Sequence, residues 1–173
     1  MRYRPPELLS PTHELDAFLC ASAEQTDWLV RRARQAMAVG TTRVLVVTTA
    51  DGRQVVAYYA WTMAQISLRD APARLRRGAG RYPQPVALLA RLGVHREHER
   101  RGLGAALLRD VIQRTAAISD DIGCRGLLVH AESEAARGFY RHLVPEFETS
   151  PTDELHLVLL LKDIKRTLRT LGR

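Results

Sequence analysis

The chain has 173 residues, is 46% hydrophobic and carries a formal net charge of +7, supplied by 24 Arg and two Lys. That length suits one domain with a sizeable core. No apolar run approaches the ~18 residues of a membrane span, and Met1-Arg-Tyr-Arg-Pro-Pro6 lacks the apolar core of a secretory leader, so a cytoplasmic location is expected. Cys20 and Cys124 are far apart, and the six His show no metal-ligand spacing, so no metal is expected.

In chain order, Ser22 or Thr26 can cap a helix from about Ala23 to Val39, with Trp28, Leu29, Ala33, Ala36 and Met37 roughly on one face and Gly40 after its end. Val44–Thr48 is a β-branched run, and Ala50-Asp51-Gly52 turns it into Val55–Ile66, which predicts a hairpin. Residues 67–81 form a basic connection. Tyr82-Pro-Gln-Pro85 then stiffens the lead into a strand, Val86–Val94. Gly102 opens a helical pattern to 119, with Leu103, Ala106, Leu107, Val111, Ile112 and Ala116 at helical spacing. A strand Gly126–Ala131, a helix Glu132–Leu143 stopped by Pro145, a strand Leu155–Leu161 and a basic helical tail, 162–173, complete the chain. This order predicts an α/β fold, a mixed sheet with helices on its faces, with no linker to a second domain.

Charge is segregated. Residues 69–101 hold nine Arg against three acids, whereas residues 102–161 hold five Arg against nine acids. A high-GC genome explains Arg in place of Lys; a polyanion-binding surface explains the segregation.

The strand, basic loop and helix start at Leu92–Leu108 predict an anion cradle. The first N–H groups of a helix lack internal acceptors, its dipole places partial positive charge there, and glycine lets a diphosphate approach. A helix start with two convenient glycines is the plainer reading. A Walker loop is excluded, since no Lys-Ser or Lys-Thr pair occurs, and the dinucleotide fingerprint fails because Leu107 stands at its third glycine. Glu99-Arg-Arg-Gly102-Leu-Gly104 resembles the acyl-CoA loop of the GCN5-related N-acetyltransferases (GNAT), Gln/Arg-x-x-Gly-x-Gly/Ala, with Glu99 at the first position.

Further segments carry the resemblance. These are His13–Phe18, Asp27-Trp-Leu29, Tyr58-Tyr-Ala60, Ala71-Pro72 with Leu75-Arg-Arg77, Pro83-x-Pro-Val86, Leu89–Val94, Leu127–Ala131, Ala136–Tyr140, Ser150-Pro151 and Leu157–Asp163. Together they make nearly the whole chain similar to the tRNA-acetylating toxins of type II toxin–antitoxin pairs. Three positions depart from that pattern: His95 for Asp, Ala21 for Gly, and Val144-Pro-Glu-Phe147 for a Gly-Phe pair.

The resemblance implies a single GNAT domain over 1–173, with a mostly antiparallel sheet and a splayed cofactor cleft. It implies acetyl transfer from acetyl-CoA to the α-amino group of an aminoacyl-tRNA, a ribbon–helix–helix antitoxin and a homodimer. Tyr140 is then the general acid for the departing thiolate, although a tyrosine beside Phe139 serves equally well as core. Backbone groups of Leu92, Gly93 and Val94 would face the oxyanion and pantetheine, and Arg100, Arg101, Gly102, Leu103, Gly104 and Ala105 the pyrophosphate. Arg96, Arg100 or Arg101 is a candidate for the 3′-phosphate. Ser133 reads first as a helix cap; with Glu134 it is a candidate for the cofactor tunnel. Arg74, Arg76, Arg77, Arg81 and Arg91 are the tRNA candidates. Lys165, Arg166 and Arg169 would meet RNA, an antitoxin or a second subunit. The strand 86–94 holds no Asp or Glu. That suits an α-amino substrate, which titrates near 7.7–8.0, better than a lysine near 10.4. Two other readings stay open: acetylation of a small amine or protein N-terminus, and a non-catalytic nucleic-acid-binding module.

Overall fold

The computed structural model describes residues 1–171, apart from the side chains of Lys165 and Leu171. Its strands are β1 (Glu7–Leu8), β2 (Arg43–Thr48), β3 (Val55–Ile66), β4 (Gln84–Val94), β5 (Gly126–His130), β6 (Glu148–Thr149) and β7 (His156–Leu160). The helices are α1 (Ala23–Arg31), α2 (Ala33–Ala38), α3 (Ala73–Arg76), α4 (Leu103–Ile118), α5 (Glu134–Leu143) and α6 (Leu161–Leu171). The strands form one sheet in the order β1-β2-β3-β4-β5-β7-β6. β4 and β5 run parallel, from Ala87↔Leu127 to Leu89↔Val129. The pairs β1–β2, β2–β3, β5–β7 and β6–β7 are antiparallel.

The chain packs as two compact units. Residues 1–62 with 90–110 make the first, and residues 63–89 with those from 111 onward make the second. In the first unit, Leu29 and Ala33 of the helical segment pack with Val44, Val46, Val55 and Tyr58 of the hairpin, closed by Leu9, Leu15 and Phe18. The buried Tyr58 hydroxyl donates to the Gln25 carbonyl at 2.6 Å, and the Tyr59 hydroxyl to Asp110 Oδ2 at 2.6 Å. In the second unit, Ile66, Ala71, Leu75, Val86, Leu128, Val158 and Leu160 form the core. Leu75 is fully buried; its truncation to Ala would cost about 2–5 kcal/mol, the range for such cavities.

The predicted helix 23–39 is two helices, broken at Arg32, whose φ of −120° leaves the helical region. Of its two candidate caps, Ser22 is the one used: its side chain accepts from the Gln25 amide, while Thr26 supports the Cys20 amide. β4 begins two residues earlier than predicted, at Gln84, so Pro85 lies inside it. The helix expected from Glu132 begins at Glu134, because Ser133 Oγ caps the Ala136 amide at 3.1 Å. β1, β6 and the helical turn α3 are additions to the predicted set. Of the predicted tail, Gly172, Arg173 and the Lys165 side chain lie outside the described residues.

Candidate active site

β4 delivers the chain into the basic loop, and His95 sets the geometry there. Its amide donates to the Val56 carbonyl at 2.8 Å. Its Nδ1 accepts the Glu97 amide at 3.1 Å, capping a 3-10 turn at Arg96–His98. Nδ1 therefore carries a lone pair, and Nε2–H donates to the Ala17 carbonyl at 3.0 Å. An imidazole thus caps the turn at the position where Asp is usual. Beneath it His98 is buried, edge-on to His95 and bonded through Nδ1 to the Tyr3 hydroxyl at 2.8 Å. Burial, then the charges of His95 and Arg101, hold the His98 pKa below its ordinary value.

Past Glu99 the backbone takes the left-handed conformation twice, at Arg100 (φ 59°) and Gly102 (φ 81°). Gly102 adopts it freely; Arg100, with a Cβ, does so at a cost of about 1–2 kcal/mol. The first α4 bond runs from Ala106 N–H to the Gly102 carbonyl at 3.0 Å. The amides of Leu103, Gly104 and Ala105 precede it and have no acceptor within the helix. A Cβ on Gly102 would meet nothing within 4 Å, so the glycine answers to backbone conformation and not to packing. Arg100 and Arg101 are exposed and pair with no carboxylate among the described residues. Just upstream, a Cβ on Gly93 would sit 3.0 Å from the Tyr58 ring, so the Leu92–Val94 end of β4 lies directly on that buried tyrosine.

In the second unit, Tyr140 occupies the buried face of α5, only 6% exposed. Phe139 and Phe147 hold its ring edge-on, with centroids at 5.2 and 6.3 Å. Phe147 is itself buried, so the Val144–Phe147 departure still supplies an aromatic wall. Burial, then the Glu132 carboxylate, pushes the phenol far above its ordinary value. Tyr140 therefore keeps its proton at every physiological pH. Glu134 pairs loosely with Arg137 at 3.8 Å.

The five arginines expected to face RNA divide. Arg74 makes a two-pronged bond to buried Asp163, at 2.8 and 3.2 Å, and a third bond to Glu148 at 3.2 Å. Arg91 bonds Glu24 and Gln25 at 3.3 and 3.2 Å, with its guanidinium 5.1 Å from the Trp28 ring centroid. Both have acidic or polar partners within the fold. Arg76, Arg77 and Arg81 are exposed and pair with no carboxylate among the described residues. Arg76 also lines an open groove of about 650 Å³ of mixed charge, with Arg141 and Arg166 against Glu146, Glu148 and Asp163.

One arrangement went unassigned in the sequence. His130 and His156, opposite each other across β5 and β7, stack with centroids 3.9 Å apart, and His156 meets Asp153 at 3.4 Å. Burial, then the neighbouring imidazole, lowers the His130 pKa. Pairing the two strand ends on paper would have brought these residues together.

A strand running into an amide-lined loop at a helix start is an arrangement that can seat a diphosphate-bearing ligand. The acetyltransferase (GNAT) domain matches residues 41–143, and the chain belongs to that family. Within it, the chain is 43% identical over 163 residues, 94% of its length and 95% of the relative's, to a "tRNA-acetylating toxin" of Mycobacterium tuberculosis. It is 28% identical, with 92% of each chain covered, to a "Probable toxin TacT" of Sinorhizobium fredii. Its fold superimposes on AtaT complexed with acetyl-methionyl-tRNAfMet with a TM-score of 0.86, at 22% identity, covering 95% of this chain and 98% of that one.

Proposed function

We propose that this enzyme moves the acetyl group of acetyl-CoA to the α-amino nitrogen of an aminoacyl-tRNA, and so acts as a toxin that stops translation. The observation that carries the proposal is the 43% identity, over nearly the whole chain, to a tRNA-acetylating relative. Acetyl-CoA brings an activated thioester and a diphosphate handle. The handle suits the amides of Leu103–Ala105 and the left-handed pair Arg100 and Gly102, with the guanidiniums of Arg100 and Arg101 beside them.

The reaction needs a neutral amine. An α-amino group is largely neutral near pH 8, so no strong base is required, in keeping with the absence of Asp and Glu from β4. The nitrogen attacks the thioester carbon, the carbonyl oxygen gains charge, and donors at Leu92–Val94 would stabilise it. The C–S bond then breaks, and Tyr140 O–H supplies the proton that sulfur takes. The proton lost by the amine returns to the phenol through solvent. A tyrosine is protonated at physiological pH even at its ordinary value, and the burial that raises Tyr140 further makes it a weaker acid in the resting enzyme, so proton donation has to be coupled to C–S cleavage. Arg76, Arg77 and Arg81 would hold RNA phosphates.

As a toxin the protein requires a neutralising partner. We assign it a ribbon–helix–helix antitoxin and a homodimeric state, with the basic face of α6, including Arg166 and Arg169, as a contact surface. No described helix is long and apolar enough to cross a membrane; the cytoplasm, where tRNA is charged, is the proposed site of action. Incubation with labelled acetyl-CoA and a charged tRNA pool should give acetyl-aminoacyl-tRNA. Absence of product with every amino acid would overturn the reading.

A further inference from the structure

Tyr82 is 76% exposed and is the one aromatic among the exposed large apolar side chains of the described residues. Its ring adds nothing to the core, yet the backbone beneath it is firmly held. The side-chain amide of Gln84, itself 6% exposed, donates to the Tyr82 carbonyl at 2.8 Å and to the Ala79 carbonyl at 3.4 Å. The Gln84 oxygen in turn accepts from Arg125 at 2.5 Å. Ala79 is buried, its amide bonded to the Arg76 carbonyl at 3.1 Å, and Pro83 follows Tyr82. A ring presented on fixed backbone loses little freedom on binding. Around it in sequence stand Arg76, Arg77 and Arg81, with no carboxylate partner among the described residues. The one acid of the segment, Asp70, is tied to Ser67 and Thr152.

We propose that Tyr82 is a stacking residue for the unpaired 3′-terminal bases of tRNA, with Arg76, Arg77 and Arg81 holding the flanking phosphates. This rests on the aminoacyl-tRNA reading above. A flat ring beside uncompensated cations suits a ligand that offers both a π-face and a negative backbone, which is single-stranded nucleic acid. Paired bases of the acceptor stem have no free face. The 3′ end has, and it carries the ester to be acetylated. A second copy of this chain would bring the same cations to the surface and be repelled.

The test measures binding of uncharged tRNA, intact or trimmed of its unpaired 3′ nucleotides, across a salt series. Tyr82→Ala should weaken binding of intact tRNA roughly 5- to 150-fold, the range for one lost base stack, with an unchanged salt slope. Tyr82→Trp should restore it. The Ala variant should no longer distinguish intact from trimmed RNA, while Arg77→Ala should lower the salt slope by about one. Unchanged affinity of Tyr82→Ala for intact tRNA overturns the proposal, as does an equal loss on trimmed RNA. So does a change in the protein's mass in solution with RNA binding intact, which would assign the ring to a protein contact. Neither acetyl-CoA nor a charged amino acid enters the assay. A wild-type enzyme that binds in this way but fails to acetylate would therefore sink the activity and leave the stacking role standing.

Discussion

The loop at 95–105 and the connection at 73–82 are both rich in arginine, and they are built on opposite plans. In the loop the organising feature is backbone: two left-handed residues, a 3-10 turn capped by His95, and three helix-start amides. In the connection it is side chains: three exposed guanidiniums and an exposed ring on a short helical turn and its exit. Backbone donors survive any substitution except proline and are fixed in direction, which suits one small diphosphate. Guanidiniums on long stems tolerate variation in phosphate spacing, which suits a large polyanion.

Chemistry provides the scale for this contrast. Tyr140→Phe removes only a hydroxyl from a buried site, and kcat should fall about 10²- to 10⁴-fold, the usual worth of a positioned acid, with acetyl-CoA and tRNA affinities unchanged. Stopped-flow and calorimetry on the variant decide this, and full turnover would remove Tyr140 from the mechanism. The next largest effect should come from replacing Arg76, Arg77 and Arg81 together with Ala. The salt slope of tRNA binding should drop by about three, one per phosphate contact, while KM for acetyl-CoA stays fixed. If KM for acetyl-CoA moves instead, the two plans are not separate.

Arg74→Ala sharpens the contrast from the other side. It leaves buried Asp163 without its two-pronged partner, so the melting temperature should fall by several degrees with little change in salt slope. A lower slope with unchanged melting would return Arg74 to the RNA surface. Arg100→Gly tests the backbone plan directly. The left-handed conformation becomes free of strain and the amides stay in place, so acetyl-CoA affinity should hold within about threefold. A tenfold loss would mean that the side chain, not the backbone, holds the cofactor.

The smallest expected effect is on pH. The pKa values of buried His98 and of His130, which is exposed yet partly desolvated beside His156, are both lowered, so the unfolded chain binds protons more readily than the fold does. Their contribution is complete above the unfolded value near 6.5 and is lost as pH falls through the lower folded values. Melting temperature should therefore decline below about pH 6.5, and His130→Gln should flatten part of that decline.

The α/β class, the long strands and the glycine loop at the start of α4 were legible in the sequence because each leaves a periodic or glycine signature over several residues. β1 and β6, two residues each, leave none. Nor does the break at Arg32, where neither Gly nor Pro marks the end of α1. Among the candidate RNA contacts, composition identified a basic segment but could not separate its members. What ties down Arg74 lies 89 residues away at Asp163, and what ties down Arg91 lies 67 residues away at Glu24. An arginine's availability is a tertiary property, whereas a left-handed glycine next to a helix start is nearly a local one.

His95 carries a consequence for how this chain can change. A carboxylate at that position could accept the Glu97 amide but could not donate to the Ala17 carbonyl. The imidazole does both, and so fastens the loop after β4 to the segment before α1. Restoring the family's aspartate would keep the cap, cut the tether and hand that carbonyl to water. The residue that departs from the pattern carries two supports at once, and transplanting the loop without residues 17–20 would transplant only half of them.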